Sequence, residues 1–428
     1  MTKTDLLLLI ILKSALSNRS FEVPKDTRTE EIEQLLRTAD HHSVLPFVYE
    51  AILQSLNNLS LSSDTIEKYR TDAVRSVMLQ IEKTSRFLQL YGSMHSAGLC
   101  PLVVKGLFCR HLYTRPSYRA SVDEDVLVSS KDFEKVDRML LTKGFQYMEE
   151  YRDVSSEYEV LYVRNPEYYE IHKSLFDPDD EVLSCFNKYF ENAEKDSISF
   201  KVDGEELFTL DYTRHMLYLI LHVFKHFLFS GFGIRQICDI TLLANKYGKY
   251  IDWEFVKESS REIHAYDFMC AVFKISENYL ILDRLGSSIP VEILDNDIDE
   301  SILLEDVMNA GIMGAGDINR LHSSSITLHA VRNRGVDSSS AVTGDEKSHV
   351  RHSIMTLKRL IAALFPSSKL IKNRYTYLER FPFLLPIAWL QRMINYLHDI
   401  RRYKQDNPLK ALEIGEARTK ILRKYNII

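Results

Sequence analysis

Apolar residues recur at three- and four-residue spacing over Leu6–Ser17, Glu30–Ala39, Val44–Leu56 and the long stretch Thr65–Ala97. That is the period of helices burying one face. Beyond Ala97 the period shortens. Leu102–Val104, Val122–Val128, Phe145–Glu149, Tyr158–Val163 and Tyr168–Ser174 are short and rich in β-branched and aromatic residues, and they read as strands, with Lys131–Leu141 as a helix among them. Strands interleaved with a helix and then adjacent to one another predict a mixed sheet with helices against it. Within Ser199–Phe208, Asp203-Gly204 is the dipeptide of a tight hairpin turn. The helical period returns over His215–Phe229, Arg235–Tyr247 and Trp253–Leu280. Arg332–Ser348 is polar, contains three consecutive serines and reads as an exposed linker. The pattern therefore predicts an α+β chain with a helical region at 1–98, a sheet core at 99–210, a helical lobe at 211–330, a linker at 331–349 and a helical region at 350–428.

The chemistry gathers around the second strand. Alternation along Val122–Val128 puts Asp123 and Asp125 on one side, about 6.6 Å apart. Carboxylates so placed suit Mg²⁺, which prefers carboxylate oxygen and substrate phosphates. Lys105-Gly106 ends the first strand where a helix begins, a place where backbone N–H groups can approach phosphate. Lys105 and Arg119 carry full charge at neutral pH and are candidates for contact with an anion. On the later strand Glu170 alternates with Tyr169 and Ile171, and His172 shares its face. His222, Lys225 and His226 present three polar groups on one face of an apolar helix. No further ligands at zinc spacing accompany them.

Composition narrows the class. A chain of 428 residues, 45% hydrophobic, can bury a large core, and 15 Gly with 11 Pro favours helix. The five cysteines are scattered without a Cys-x-x-Cys pair, which points to free thiols and a reducing, cytoplasmic setting. Leu6–Leu12 is too short for a membrane span and reads as a first packed helix. Net charge is −6, yet residues 351–428 hold sixteen Lys and Arg against five Asp and Glu, a basic stretch that would attract anions. Basic and aromatic interleaving of the nucleic-acid kind is missing. Tyr375, Tyr377, Phe381, Phe383 and Trp389 read as hydrophobic packing and not as a base-stacking platform.

Hydrophobic-Lys-Gly before a helix, Arg119 ahead of Asp123-Glu124-Asp125-Val126-Leu127-Val128, and Tyr169-Glu170-Ile171-His172 together resemble the uncharacterised nucleotidyltransferase family of the DNA polymerase β-like superfamily. Leu217–Asp239 is similar to the family's helical segment. Leu364-Phe365-Pro366, Arg374-Tyr375, Leu385-Pro386 and Arg392 are similar to its C-terminal signature. The resemblance implies a mixed-sheet nucleotidyltransferase core between helical lobes. It also implies Asp123, Asp125 and Glu170 as catalytic metal ligands, and Lys105, Gly106, Arg119, His172 and Lys225 as nucleotide-binding residues. Two positions depart from the family pattern. Leu107 follows Gly106, where Gly or Ser is usual, and Glu124 replaces an apolar residue.

The activity implied by the resemblance is that of an enzyme using two Mg²⁺ ions to move a nucleoside monophosphate from an NTP, ATP favoured, to a hydroxyl on a small molecule or protein. A decayed nucleotide-binding or partner-regulating module, and a toxin-antitoxin nucleotidyltransferase, are the alternatives. Neither a membrane nor a nucleic acid is expected as partner. Asp125→Asn is expected to remove metal-nucleotide binding with the fold intact. A lone buried carboxylate is costly, so Glu124 lies near an exposed margin, is paired with a base or belongs to an altered metal site; if it is alone on the covered face, its replacement by Ile is expected to be neutral or stabilising.

Overall fold

The computed structural model describes residues 1–56, 61–148, 153–312, 318–332, 375, 377–391 and 408–428. Four helices open the chain: α1 (Lys3–Leu16), α2 (Thr29–His41), α3 (Leu45–Leu56) and α4 (Ser63–Ser96). Then come β1 (Leu102–Val103), α5 (Gly106–Arg110), β2 (Glu124–Leu127), α6 (Phe133–Thr142), β3 (Gln146–Tyr147), β4 (Glu159–Arg164), β5 (Glu167–His172), β6 (Ile198–Val202) and β7 (Glu205–Thr209). Helices α7 (Tyr212–Phe229), α8 (Ile234–Tyr247), α9 (Trp253–Glu262), α10 (Tyr266–Tyr279), α11 (Val291–Leu294), α12 (Ser301–Ala310) and α13 (Ile318–Arg332) come next. A last helix spans Pro408–Lys424.

The seven strands form one mixed sheet, as the order of elements predicts, and its strand order is β3-β4-β5-β2-β1-β7-β6. The β6–β7 hairpin turns at Asp203-Gly204, where both residues take positive φ (49° and 91°), the backbone that a two-residue turn matched to strand twist requires. One expected helix divides. His264, at φ 58°, ends α9, and the N–H of Ala265 bonds back to the Ser260 carbonyl before α10 starts.

Two compact units emerge, Met1–Lys225 with Phe232–Ile312, and His226–Gly231 with Met313–Ile428. The first holds the sheet. In the second, Gly415 of the last helix lets it approach α13, since a Cβ there would stand 2.6 Å from Ile326. Arg418 donates to the Phe229 carbonyl at 2.8 Å, and Arg320 to that of Ser230 at 3.0 Å. Tyr375, Leu378 and Ala388 form a small core with Tyr377 and Trp389 against it, while Phe381 and Phe383 are exposed. Most of the expected linker, together with Leu364-Phe365-Pro366, Arg374 and Arg392, lies outside the described residues. Among the described residues no helix is long and apolar enough to cross a membrane.

In the first unit His42 is fully buried. It accepts from the Ile234 N–H through Nδ1 (3.2 Å) and meets the Met308 carbonyl through Nε2 (3.3 Å), so the neutral ring satisfies both contacts. Burial lowers its pKa from 6.5 to about 4. Between those values the unfolded chain holds a proton that the folded chain lacks. The His42 contribution is thus complete above pH 6.5, declines as pH falls, and is lost at about pH 4, a change of about 3 kcal/mol. Denaturant midpoints should fall between pH 7 and pH 4.5, and fall less in His42→Leu. Equal slopes for the two proteins would contradict this.

Candidate active site

Register and alternation build the site. β2 runs parallel to β5 with Asp125 opposite Glu170 and Leu127 opposite His172, and β4 lies antiparallel to β5 with Glu159 opposite His172. Residues directly opposite share a face, so Asp125, Glu170, His172 and Glu159 stand together. The intervening residues Val126, Ile171, Tyr169 and Val160 turn to the covered face, where Phe87 of α4 packs on Tyr169 with ring centroids 5.6 Å apart.

Asp125 is the centre of the cluster, its side chain 1% exposed. Its Oδ1 accepts from Lys105 Nζ at 2.8 Å, whereas its Oδ2 is buried without a hydrogen-bond partner among the described residues. His172 Nε2 lies 3.8 Å from Asp125 Oδ1 and 3.7 Å from Glu170 Oε2, and His172 Nδ1 lies 3.3 Å from Glu159 Oε2. Lys105 Nζ also meets His222 Nε2 of α7 at 3.1 Å. Lysine only donates, so that imidazole nitrogen is the acceptor.

The charges hold one another in place. Burial opposes ionisation of Lys105, but Asp125, then Asp123 and Glu170, raise its pKa. Burial likewise opposes a charged His172, yet Asp125, Glu170 and Glu159 raise it well above the ordinary imidazole value. Burial works to raise Asp125, and Lys105 and His172 overcome it, keeping the carboxylate ionised. Glu170 moves the other way. Burial raises it, His172 opposes, and the neighbouring Asp125 and Asp123 add to the rise. The more exposed Glu170 is therefore the member of the cluster able to take up a proton.

Asp125, Glu170 and His172 each offer a ligand atom, all within 4.8 Å of one another, and they are the group among the described residues able to hold a metal ion in this region. Two carboxylates and an imidazole, one carboxylate with an orphaned buried oxygen, fit a divalent cation once His172 gives up its proton to make room for the metal's charge. Asp123 lies just ahead of β2, half-buried, and borders this trio without joining it. The loop carrying it is tied down from several sides. Gln80 and Lys83 of α4 donate to the Ser121 carbonyl, Arg110 bonds Ser121 Oγ at 2.6 Å, and Arg235 donates to the Ala120 carbonyl.

Other sequence candidates have different partners. Arg119 is fully buried, with Nε and Nη2 on the two oxygens of Asp239 at 2.8 and 2.7 Å and Nη1 near the Gly106 carbonyl, so its guanidinium anchors α8 beneath the site. Lys225 lies one turn beyond His222 on α7, half-buried. Gly106 takes φ +23°, and a Cβ there would stand 2.0 Å from Glu124 Oε2. That carboxylate accepts from the Leu107 N–H at 2.8 Å and pairs with the buried Arg110. The two departures from the family pattern are thus one device: Glu124 takes the helix N–H that phosphate was expected to use. Of the alternatives for Glu124, pairing with a base is the one found, with Arg110 and the Leu107 N–H as its partners, and the stabilising effect expected for a lone carboxylate is withdrawn.

A cavity of about 550 Å³ opens past the C-terminal ends of β2 and β5, and none of Asp125, Glu170, His172 and Lys105 lines it. Leu102 and Leu127, paired across β1 and β2, lie in its wall, and Leu127 is two residues from Asp125 on the same strand face. Sequence reasoning missed Glu159, Arg110, the pairing of Asp239 with Arg119 and the His222–Lys105 contact. The partners of the last two are 120 and 117 positions apart, and no local spacing signals them.

Residues 28–280 match a family model described as uncharacterised nucleotidyltransferase. No curated protein and no solved structure matches the chain.

Proposed function

We propose that this chain, which belongs to the uncharacterised nucleotidyltransferase family, moves a nucleoside monophosphate from an NTP, MgATP favoured, to a hydroxyl of a small molecule. The observation that carries the reading is the Asp125–Glu170–His172 group on one sheet face, together with an Asp125 Oδ2 that is buried without a hydrogen-bond partner among the described residues. A divalent cation held there would neutralise charge on the α-phosphate and the leaving pyrophosphate. The chain's own residues do the rest. Glu170, whose pKa is raised, takes the proton of the attacking hydroxyl. Asp123 at the margin and Lys225 on α7 contact the metal-bound triphosphate, and Arg119 positions α5 from below. The new bond joins the acceptor oxygen to the α-phosphorus, and the bond to the β-phosphate oxygen breaks.

The cavity past the ends of β2 and β5, reached from Asp125 along β2 through Leu127, supports a small acceptor. Its volume lies in the range of small-molecule sites. Asp132, Glu191 and Glu194 outnumber Lys131 and Lys173 in its wall, and Lys173 already donates to the Val154 and Ser155 carbonyls. Asp132 is likewise engaged, by Lys135 and Ser129, so the wall is close to neutral and suits a small neutral or cationic hydroxyl compound better than a polyphosphate.

The test uses α-labelled ATP, Mg²⁺ and host-cell extract split into small-molecule and protein fractions. Label should enter the small-molecule fraction, and Leu127→Trp, which fills the cavity, should abolish that transfer while ATP affinity stays within about twofold. The exposed Ser130→Trp, also in the wall, should act likewise without touching the fold. Label in protein alone would replace the small acceptor by a side chain. A second reading, nucleotide binding without transfer, draws on Lys105 engaging Asp125 and Glu124 engaging the Leu107 N–H. ATP bound with no labelled product in any fraction would select it.

A further inference from the structure

Two-metal transfer needs a second cation about 3.5–4 Å from the first, so that both attacking and leaving oxygens are clamped. An aspartate between two such ions offers one oxygen to each. In this site the two oxygens of Asp125 are already unlike. Oδ1 is taken by the Lys105 ammonium at 2.8 Å, and Oδ2 is buried and unpartnered. The ligand atoms of Glu170 and His172 complete a single group with Asp125.

Lys105 is not a passing surface contact. Its side chain is 12% exposed, its carboxylate partner 1%, and His222 of α7 holds the ammonium from a second direction at 3.1 Å. A buried ion pair is a poor way to gain stability alone, because desolvation offsets most of the attraction. This pair also leaves the second oxygen of Asp125 unsatisfied, which a stabilising pair would avoid.

We propose that the Lys105 ammonium stands in for one of the two ions, so that the chain binds a single divalent cation through Asp125, Glu170 and His172, with His222 positioning the lysine. The proposal rests on the nucleotidyltransferase reading of this site and replaces the pair of Mg²⁺ ions expected from the sequence. Lys105 is then a fixed charge beside the transferred phosphate, and its neighbour Gly106 lets the chain turn sharply enough to aim it back at Asp125.

Counting ions tests this without any turnover. Full-length protein is titrated with Mn²⁺ alone by calorimetry, and bound ions are counted by equilibrium dialysis. Wild type should bind one ion per chain at this site. Lys105→Met, which keeps the stem and removes the charge, should bind two, or bind the first at least about tenfold more tightly, since a unit positive charge close to the ion has gone. Lys105→Arg, keeping the charge, should stay at one. Should Lys105→Met fail to fold, His222→Gln, which loosens the ammonium, should tighten Mn²⁺ binding. Two ions on the wild type, or unchanged count and affinity in the variants, overturns the proposal. Label transfer by the same wild-type preparation would then show that the nucleotidyltransferase reading survives.

Discussion

Asp125→Asn reduces nucleotidyl transfer by about 10³-fold or more, the scale expected when a group stabilising developing charge is lost. Asp125 is the side chain on which the charged elements of the cluster converge. Lys105 sits on Oδ1, His172 lies 3.8 Å away, and Glu170 stands opposite in register. Asparagine preserves the shape but offers a cation a neutral oxygen. The same substitution also reaches the fold, contrary to the expectation that it leaves the fold intact. Asp125 is buried, and without its charge the Lys105 ammonium keeps a hydrogen bond and loses its counter-ion, at a cost of about 1–3 kcal/mol. Labelled-product assays and denaturant unfolding of the same preparation separate the two effects. Transfer within tenfold of wild type would remove Asp125 from the reacting centre.

Glu124→Ile destabilises the sheet unit by about 3–5 kcal/mol, the penalty for removing one partner of a buried ion pair. Sequence alternation alone predicts the opposite sign, because a lone carboxylate on a covered face should be relieved by an apolar replacement. What reverses it is Arg110. Its guanidinium is fully buried and pairs with Glu124, Gln80 and Ser121, so the substitution strands a charge and frees the Leu107 N–H. Chemical denaturation reads the loss directly. Glu124→Ile combined with Arg110→Met should recover part of it, since neither charge is then buried alone. A Glu124→Ile protein as stable as wild type would mean that the pair contributes nothing. The double variant should still lose activity, because Arg110 also fixes the Ser121 loop that presents Asp123.

How much of the site is legible in the chain differs residue by residue. Glu170 and His172 can be placed on one face because strand alternation is a local rule, whereas the β2–β5 register that brings Asp125 to them is set by the pairing of distant segments. Gly106 is legible as a position excluding a side chain, but the reason is not. The obstacle to a Cβ is the Glu124 carboxylate, 18 positions away, whereas local spacing assigns the vacant space to phosphate. Arg119 is legible as a binding cation. Its bidentate bond to Asp239 depends on α8 folding back beneath α5, which no spacing near either residue encodes.

The sequence by itself determined the elements: helices where apolar residues recur every three or four positions, strands where they alternate, and the Asp203-Gly204 turn, because each depends on contacts within a few residues of the chain. It also determined which chemical groups reach the sheet face. Tertiary structure alone decided which charges meet. Pairing between buried ions is set by whichever side chain arrives within about 4 Å, in surroundings where an unpaired charge is costly. Thus Glu124 became a partner of Arg110, Arg119 of Asp239, and Lys105 of Asp125 and His222.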